Sequence, residues 1–204
     1  MDTVNLIALS MGAAWASGIN LYATIVMLGF MGTTGGIELP PGLEILENPM
    51  VIAAAGLMYA IEFFADKIPG VDSAWDAIHT FIRIPAGAML AASAVGDVTP
   101  VMELTAGLLG GTLAAGTHAT KMGSRLLINT SPEPLSNIGA SLGEDVAVIG
   151  GLWTALHHPL WFIIALILFV LLMIWLLPRL WKILKYVSRR VGSWLGLCEA
   201  PSTQ

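Results

Sequence analysis

The residues most able to do chemistry are five ionisable side chains within one stretch of twenty-two residues. Glu62 and Asp66 are four residues apart, which places them on one face of a helix. Asp76, His79 and Arg83 follow at spacings of three and four and share a helical face in the same way. The carboxyl and imidazole groups could carry protons or bind cations, and the arginine could act as a substrate anchor or counter-ion.

A second set of polar residues lies in the later half of the chain. Glu144 and Asp145 are adjacent acids. His118, Lys121 and Arg125 repeat the spacing of three and four. We expect Glu144, Asp145 and His118 to join the earlier residues in the cytoplasmic half of the membrane. Lys121 and Arg125 are expected instead to extend to the cytoplasmic membrane surface, as long basic side chains near helix ends do.

Two glycines in apolar stretches each precede a polar residue by two positions. Gly18 comes before Asn20, and Gly116 comes before His118. In one interpretation, small residues at these points let neighbouring helices pack closely. In the other, the helices break there, and the freed backbone groups bind a substrate or an ion together with Asn20 or His118. Both interpretations stay open at this point.

The acidic residues also allow a divalent metal site. Asp72, Asp76 and His79 offer the oxygen and imidazole ligands that such ions take. A metal held there could serve an intramembrane enzyme that acts on a phosphorylated lipid. The one cysteine, Cys198, excludes a thiolate metal cluster and a disulfide framework.

The composition indicates the environment in which these groups must work. Of 204 residues, 56% are hydrophobic and 11% are charged, against about 25% charged residues in soluble domains. The mean hydropathy is +0.78, and the formal net charge is −5. These values exclude a disordered chain and a nucleic-acid-binding protein. They predict an all-α membrane protein embedded in a lipid bilayer.

Six apolar stretches are predicted to cross the membrane as helices, since about 20 residues span the hydrocarbon layer. The third and the fifth are too short unless their helices begin near Asp76 and Asn137, which brings charged residues into the membrane. The six stretches are residues 4–31, 49–64, 76–96, 101–120, 137–156 and 160–177.

The distribution of charge predicts the orientation of these spans. With six spans and cytoplasmic N- and C-termini, all nine Lys and Arg residues lie on the cytoplasmic side, and the outer loop 32–48 holds only acidic charges. Residues 1–178 are predicted to form a single transmembrane domain. Residues 179–204 are predicted to form a basic cytoplasmic tail, which lies along the membrane as an amphipathic helix.

Two pairs of similar segments indicate an internal duplication. Residues 75–79, Trp-Asp-Ala-Ile-His, resemble residues 153–157, Trp-Thr-Ala-Leu-His. Residues 16–20 resemble residues 114–118 in the same way. Two repeats of three spans each would insert in opposite orientations, so a three-plus-three inverted repeat is predicted. The two repeats would be residues 4–97 and 100–178.

A resemblance to a known family is carried by two segments. One is residues 64–80, Phe-Ala-Asp-Lys-Ile-Pro-Gly-Val-Asp-Ser-Ala-Trp-Asp-Ala-Ile-His-Thr, and the other is residues 16–22, Ala-Ser-Gly-Ile-Asn-Leu-Tyr. In these segments the chain resembles domain-of-unknown-function family 4126, and the likeness extends over roughly residues 6–175. The resemblance implies a small multi-pass protein of the bacterial inner (plasma) membrane. It implies no activity and no functional residues.

These observations lead to a functional hypothesis. We expect a proton- or cation-coupled transporter of a small polar or anionic substrate, or of a lipid head group, with Arg83 as the substrate anchor or counter-ion. Two other classes stay open: a metal-dependent membrane enzyme, and an accessory subunit of a larger membrane complex. Because six helices enclose only a narrow path, a homodimer is a further open alternative. The coupling site would comprise Glu62, Asp66, Asp76 and His79.

Overall fold

The computed structural model describes residues 2–68, 70–96, 98–129 and 134–194. Over these ranges the chain forms six α helices, one short 3₁₀ helix and no strand, so the all-α prediction is confirmed there. The helices are α1 (Thr3–Thr33), the 3₁₀ helix (Pro41–Glu47), α2 (Pro49–Ala65), α3 (Val71–Ala94), α4 (Pro100–Ile128), α5 (Pro134–His157) and α6 (Pro159–Trp194).

Local sequence accounts for most of the helix starts. Asp2 caps α1 by accepting a hydrogen bond from the backbone N–H of Asn5 at 2.8 Å. Asn48 caps α2 in the same way by accepting from Met50 at 2.9 Å. Helices α2, α4, α5 and α6 each begin at a proline, whose fixed φ and missing N–H suit the first turn.

Helix α1 lies at the centre of the bundle and contacts the five other α helices. Its middle is rich in small residues, so neighbouring backbones approach it closely. A Cβ atom at Gly18 would lie 2.5 Å from the backbone oxygen of Ala114 in α4. A Cβ atom at Gly116 would lie 2.6 Å from Met173 Sδ in α6. The structure therefore supports the packing interpretation of both glycines.

Helices α3 and α4 also pack closely through glycine. A Cβ atom at Gly87 would lie 2.5 Å from both Ala114 Cβ and Ser17 Oγ. A Cβ atom at Gly110 would collide with Ala91. Glycine at these positions brings α1, α3 and α4 near enough for their polar side chains to meet.

The interior of the bundle holds charge, while much of its surface is apolar. Arg83 and Arg125 are the largest fully buried side chains in the described residues, whereas α6 exposes leucine, isoleucine and tryptophan. Three described helices are long and apolar enough to cross a membrane: α1, α3 and Pro159–Tyr186 of α6. A fourth span would be added if Pro41–Glu47 and α2, which meet at 68°, formed one broken span. This arrangement is compatible with a membrane protein.

Each of the six stretches predicted to span coincides largely with one α helix, although the bounds differ. Helices α3 and α5 begin before Asp76 and Asn137, so the charged residues that follow these two positions lie within helices, as predicted. Helix α4 continues past Thr120 to Ile128. Residues 179–194 continue α6 as one helix instead of forming a separate interfacial helix, and residues 195–204 lie outside the described residues.

The two Trp-x-x-x-His segments do not lie on corresponding helices. Residues 75–79 belong to the early part of α3, and residues 153–157 end α5. A three-plus-three repeat would equate α3 with α6, so this pair of segments does not support it. The segments share only a local geometry, because in each the His ring stacks on the Trp ring one turn earlier, with centroids 4.3 and 4.7 Å apart.

Candidate functional site

Eight ionisable side chains meet inside the bundle in a network of ion pairs, the charge cluster. They come from α3, α4 and α5 and from the C-terminal end of α2. All are buried except Glu144, whose side chain is 20% exposed. Five are carboxylates and three are cations, so acid is in excess. The members are Glu62, Asp66, Asp72, Asp76, Arg83, Lys121, Arg125 and Glu144.

Arg83 joins α2 to α3 within the charge cluster. Its Nη2 donates to Glu62 Oε1 at 2.7 Å, and its Nη1 donates to Asp76 Oδ1 at 2.8 Å. All three side chains have no exposed surface. Nη1 also lies 3.3 Å from His118 Nδ1, which accepts from the guanidinium and leaves Nε2 to carry the imidazole proton. The two carboxylates are therefore held by opposite arms of one guanidinium.

Lys121 lies at the middle of the charge cluster, where four carboxylates surround it. Its ammonium donates to Asp66 Oδ2 at 3.0 Å and lies 3.7 Å from Glu62 Oε1 and 3.5 Å from Asp76 Oδ1. Glu144 Oε2 is 3.4 Å away. The prediction that Lys121 extends to the membrane surface is wrong. Because α4 continues for two further turns, this residue lies inside the helix and faces the acidic side chains.

Arg125 is also buried, so its predicted surface position is wrong for the same reason. Its guanidinium makes two hydrogen bonds to Glu144, Nε to Oε1 at 3.0 Å and Nη2 to Oε2 at 2.6 Å. Nη1 donates to the Asp66 backbone oxygen at 3.0 Å and lies 3.2 Å from Asn137 Oδ1. This planar, two-bond geometry is specific to arginine.

Two asparagines that the sequence analysis did not select extend the network toward the connection between α4 and α5. Asn129 Nδ2 donates to Asp72 Oδ1 at 2.9 Å, and Asn137 Nδ2 donates to Asn129 Oδ1 at 2.8 Å. Asp72 also accepts from the backbone N–H groups of Gly70 and Ser73. A signal for Asn137 was present, since it lies seven residues before Glu144 and therefore on the same face of α5.

Helix α1 is broken at Asn20, two residues after Gly18. Asn20 has φ −147° and ψ 98°, which are not helical values. Its Oδ1 accepts from the Ala23 N–H at 2.9 Å, so the side chain caps the second half of α1. Lys121 Nζ donates at 3.1 Å to the backbone oxygen of Ile19, at the end of the first half. A break in the first span is thus present, at Asn20, whereas no residue within α4 has non-helical angles of this kind.

Asp145 lies beside the charge cluster and contacts this break. Its Oδ1 accepts from Asn20 Nδ2 at 3.2 Å. Nearby Lys67, between α2 and α3, donates to the Phe63 backbone oxygen at 2.8 Å and lies over the Phe63 ring. Partial burial lowers the pKa of the Lys67 ammonium, and the Asp145 carboxylate opposes that change.

His79 and His118 border the charge cluster. His79 is held by the Trp75 backbone oxygen at Nδ1, 2.8 Å, and its Nε2 lies 3.1 Å from Tyr22 Oη. His118 Nε2 lies 2.8 Å from Thr80 Oγ1. Every polar residue that the sequence analysis selected on α1 to α5 therefore lies in or beside one buried region.

Four buried carboxylate oxygens in the described residues lack a hydrogen bond of good geometry, although the Tyr59 hydroxyl lies beside the Asp145 carboxylate. Buried polar atoms are normally paired, and an unpaired anionic oxygen is costly. These oxygens are therefore the atoms most able to take a proton or a cation. They are Glu62 Oε2, Asp66 Oδ1, Asp76 Oδ2 and Asp145 Oδ2.

A cavity of about 300 Å³, the polar chamber, adjoins the charge cluster. It lies between α1, α4, α5 and α6. Lys121 and Glu144 line it, and Ile19 borders it where α1 breaks. The break, the charge cluster and the cavity therefore share one place in the bundle. Its hydroxyl-bearing residues are Thr117, Thr120 and Ser124.

The candidate metal ligands do not share a single coordination sphere. Asp72 faces Asn129, Asp76 faces Arg83, and His79 faces Tyr22. Within the ranges that the structure describes, no group of three His, Cys, Asp or Glu side chains is placed to hold a metal ion.

Comparison with known proteins identifies the family. Residues 7–179 match the model of a domain of unknown function (DUF4126), so the chain belongs to that family, and the resemblance noted in the sequence is confirmed. Comparisons with curated proteins and with solved structures gave no match. The family description states no activity.

Proposed function

We propose that the protein is a proton- or cation-coupled transporter, and that the charge cluster with Asp145 is its coupling site. The observation that carries the proposal is the excess of buried acid beside a broken helix. Five carboxylates face three cations, and Asp145 adds a sixth carboxylate while nearby Lys67 adds a fourth cation. Uncompensated charge inside a bundle is expensive, so the site favours uptake of protons or cations.

The break in α1 gives the coupling site a means of responding to that uptake. Asn20 caps one half-helix and donates to Asp145, while Lys121 donates to the carbonyl of Ile19 on the other half. A change in the charge of Asp145 therefore alters the contacts of a half-helix end. Discontinuous helices with ion sites at their ends are the usual arrangement in secondary transporters.

We further propose that all six α helices cross the membrane. Helices α4 and α5 carry ionisable residues on the faces that meet the charge cluster, which lowers their mean hydropathy without exposing charge to lipid. A cytoplasmic N-terminus agrees with the basic residues of the tail and with Lys67. Arg83, Lys121 and Arg125 no longer support this orientation, because they are buried. The inverted repeat and the homodimer stay predictions.

The substrate class is a small polar solute or a lipid head group. An anionic substrate has less support than the sequence indicated, because Arg83, Lys121 and Arg125 each already pair with at least two carboxylates. The polar chamber is the candidate binding space, since it directly borders Lys121 and Glu144.

The coupling site is tested by measuring the electric charge that moves when ions bind to the protein. The full chain in proteoliposomes is adsorbed on a solid-supported membrane, and a pH jump or a sodium jump is applied without substrate. We expect a transient current with the coupling ion. Glu62→Gln and Asp145→Asn each remove one buried negative charge and should abolish it. Glu103→Gln, at an exposed acid in the first turn of α4, is the matched control and should keep the current. A wild-type current no larger than that of protein-free membranes, for both ions, contradicts the proposal.

The topology is tested with single cysteines on a Cys198→Ala background and a membrane-impermeant maleimide. Six spans place Glu38→Cys outside and Lys182→Cys inside. Three spans, formed by α1, α3 and α6, would place both on one side. Leu135→Cys, which is exposed at the start of α5, is inside with six spans and outside with four. Labelling of Leu135→Cys from the outside therefore rejects the six-span arrangement.

A further inference from the structure

A second cavity lies next to the polar chamber and, unlike it, is lined by no charged side chain. This apolar chamber, of about 290 Å³, lies between α1, α5 and α6 and is lined by Trp15, Phe162 and Phe169 together with small residues of α5. Phe169 also lines the polar chamber, so its ring stands where the two meet. A charged region and an apolar region thus adjoin along one crevice.

Helix α5 forms a common wall of both chambers. Gly143 lines the polar chamber, and Gly150 lines the apolar chamber seven residues later on the same helical face. A Cβ atom added at either glycine would meet no other atom within 4 Å. Both glycines are exposed, so both chambers open along this face of α5.

The polar chamber offers mainly hydrogen-bond acceptors. Thr117 and Thr120 donate their hydroxyl protons to backbone oxygens in their own helix, at 2.8 and 2.9 Å, so toward a ligand these hydroxyl groups can only accept. Glu144 adds a partly exposed carboxylate, whose oxygens each accept one hydrogen bond from Arg125 and keep a second lone pair for a ligand. Lys121 donates to Ile19 and Asp66, and its remaining proton points to a region with three further carboxylates. A ligand there must itself donate hydrogen bonds.

The charge cluster beside the polar chamber determines which kind of hydrogen-bond donor a ligand should carry. Carboxylates outnumber cations in the charge cluster, so the potential in the adjoining chamber favours a positive group. An ammonium group combines positive charge with three donors and no acceptor. The apolar chamber beyond Phe169 can take a hydrocarbon chain attached to it.

We propose that the transported substrate is a cationic amphiphile, with its ammonium group in the polar chamber and its apolar tail in the apolar chamber past Phe169. This inference rests on the proposed transport function and names its substrate class. Glu144 is then the residue that accepts from the ammonium group, and Phe169 separates the head from the tail.

Binding is tested by quenching of Trp15, which lines the apolar chamber. The full chain in phosphatidylcholine nanodiscs is titrated with a long-chain primary amine that carries a doxyl label on its tail. The Trp15→Phe variant measures quenching of the other tryptophans. Subtracting its signal from that of the wild type leaves the quenching of Trp15. We expect this difference to reach half-saturation at a concentration about tenfold or more below that of the matched doxyl fatty acid. Equal or tighter binding of the acid overturns the head-group assignment.

Three glycine variants of α5 test where the ligand lies. Gly143→Leu fills the polar chamber and Gly150→Leu fills the apolar one, and neither added Cβ clashes. Each should raise the half-saturating amine concentration by about tenfold. Gly139→Leu is the matched control, because Gly139 is as exposed and as open to a Cβ as the other two glycines but lines neither chamber. It should bind the amine as the wild type does.

The outcomes separate the substrate class from the transport function. If Gly143→Leu raises the half-saturating amine concentration and Gly150→Leu does not, the ligand is a small polar molecule and the proposal of an amphiphilic substrate is overturned. No Trp15-specific quenching by the amine, in protein that still gives an ion-displacement current, rejects this inference and leaves coupled transport intact. The comparison of amine with acid uses the wild-type chambers, so it decides the question even if a leucine variant does not fold.

Discussion

Within the charge cluster, we expect the largest loss of folding stability from a substitution at Arg83. The perturbation is Arg83→Met, which keeps an unbranched apolar stem of similar reach and removes the guanidinium. In the wild type this group pairs with Glu62 at 2.7 Å and with Asp76 at 2.8 Å, and none of the three side chains is exposed. The variant therefore leaves two buried carboxylates without their principal partner.

The magnitude follows from that geometry. Removing one member of a buried ion pair costs about 3–5 kcal/mol, because the other charge is left uncompensated. Lys121 lies 3.7 Å from Glu62 Oε1 and 3.5 Å from Asp76 Oδ1 and compensates part of the loss. At roughly 2–4 °C per kcal/mol for a chain of this size, the melting temperature should fall by about 6–20 °C.

The assay is thermal unfolding of the purified chain in detergent, followed by far-ultraviolet circular dichroism. The matched control is Arg179→Met, because Arg179 is exposed and lies over the Trp175 ring outside the charge cluster. The double variant Arg83→Met/Asp76→Asn removes one of the abandoned charges as well. It should recover part of the lost stability, with a coupling of about 0.5–3 kcal/mol between the two sites.

Two results would refute this reasoning. If Arg83→Met lowers the melting temperature no more than Arg179→Met, the guanidinium does not neutralise buried charge. If the losses of the single variants simply add in the double variant, Arg83 and Asp76 are not paired in the folded chain.

Further predictions concern the break in α1, the packing at Gly87 and the two hydrogen bonds between Arg125 and Glu144. All are measured by the same unfolding assay. Asn20→Ala removes the cap of the second half of α1 and should cost about 1 kcal/mol or more, whereas Asn20→Ser keeps a capping oxygen and should cost less. Gly87→Ala forces a Cβ between α1 and α4 and should cost about 1–3 kcal/mol, while Gly56→Ala, whose Cβ would meet only one atom at 4.0 Å, should be neutral or stabilising. Arg125→Lys cannot keep both hydrogen bonds to Glu144 and should cost about 1–2 kcal/mol.

The convergence of the acidic residues could be inferred from the sequence. Helical spacing put Glu62 and Asp66 on one face and Asp76 and Arg83 on another, and the length needed for a span drew Glu144 into the same half of the bundle. These inferences are local, because they depend only on residue spacing and helix length. The structure accordingly brings all five side chains into one network.

The positions of Lys121 and Arg125 could not be inferred in the same way. A lysine that follows an apolar stretch reads as the end of a span, and hydropathy does not tell whether the helix continues or which neighbour it faces. The partners of Lys121 lie fifty-five residues before it at Asp66 and 102 residues before it at Ile19. Only the packing of α1, α2 and α4 establishes those contacts.

The sequence indicates the position of the break in α1 only approximately, at Gly18 instead of Asn20, for a related reason. A glycine marks where a helix can break, but Gly18 is required for close packing against Ala114, and the helix breaks where a side chain can cap the new end. Asn20 can do so, since its Oδ1 reaches the Ala23 N–H. Capping chemistry is therefore the better sequence signal for a discontinuous helix than glycine alone.

The buried network is hard to explain as a device for stability. Replacing a buried ion network by apolar side chains of similar volume is often neutral or stabilising, and here the surrounding surface is already apolar. Carboxylates also outnumber cations, and four of their oxygens lack a hydrogen bond of good geometry, which a purely structural network would avoid. The proposed coupling site would use this imbalance, because a bound proton or cation would compensate the excess charge beside the broken end of α1.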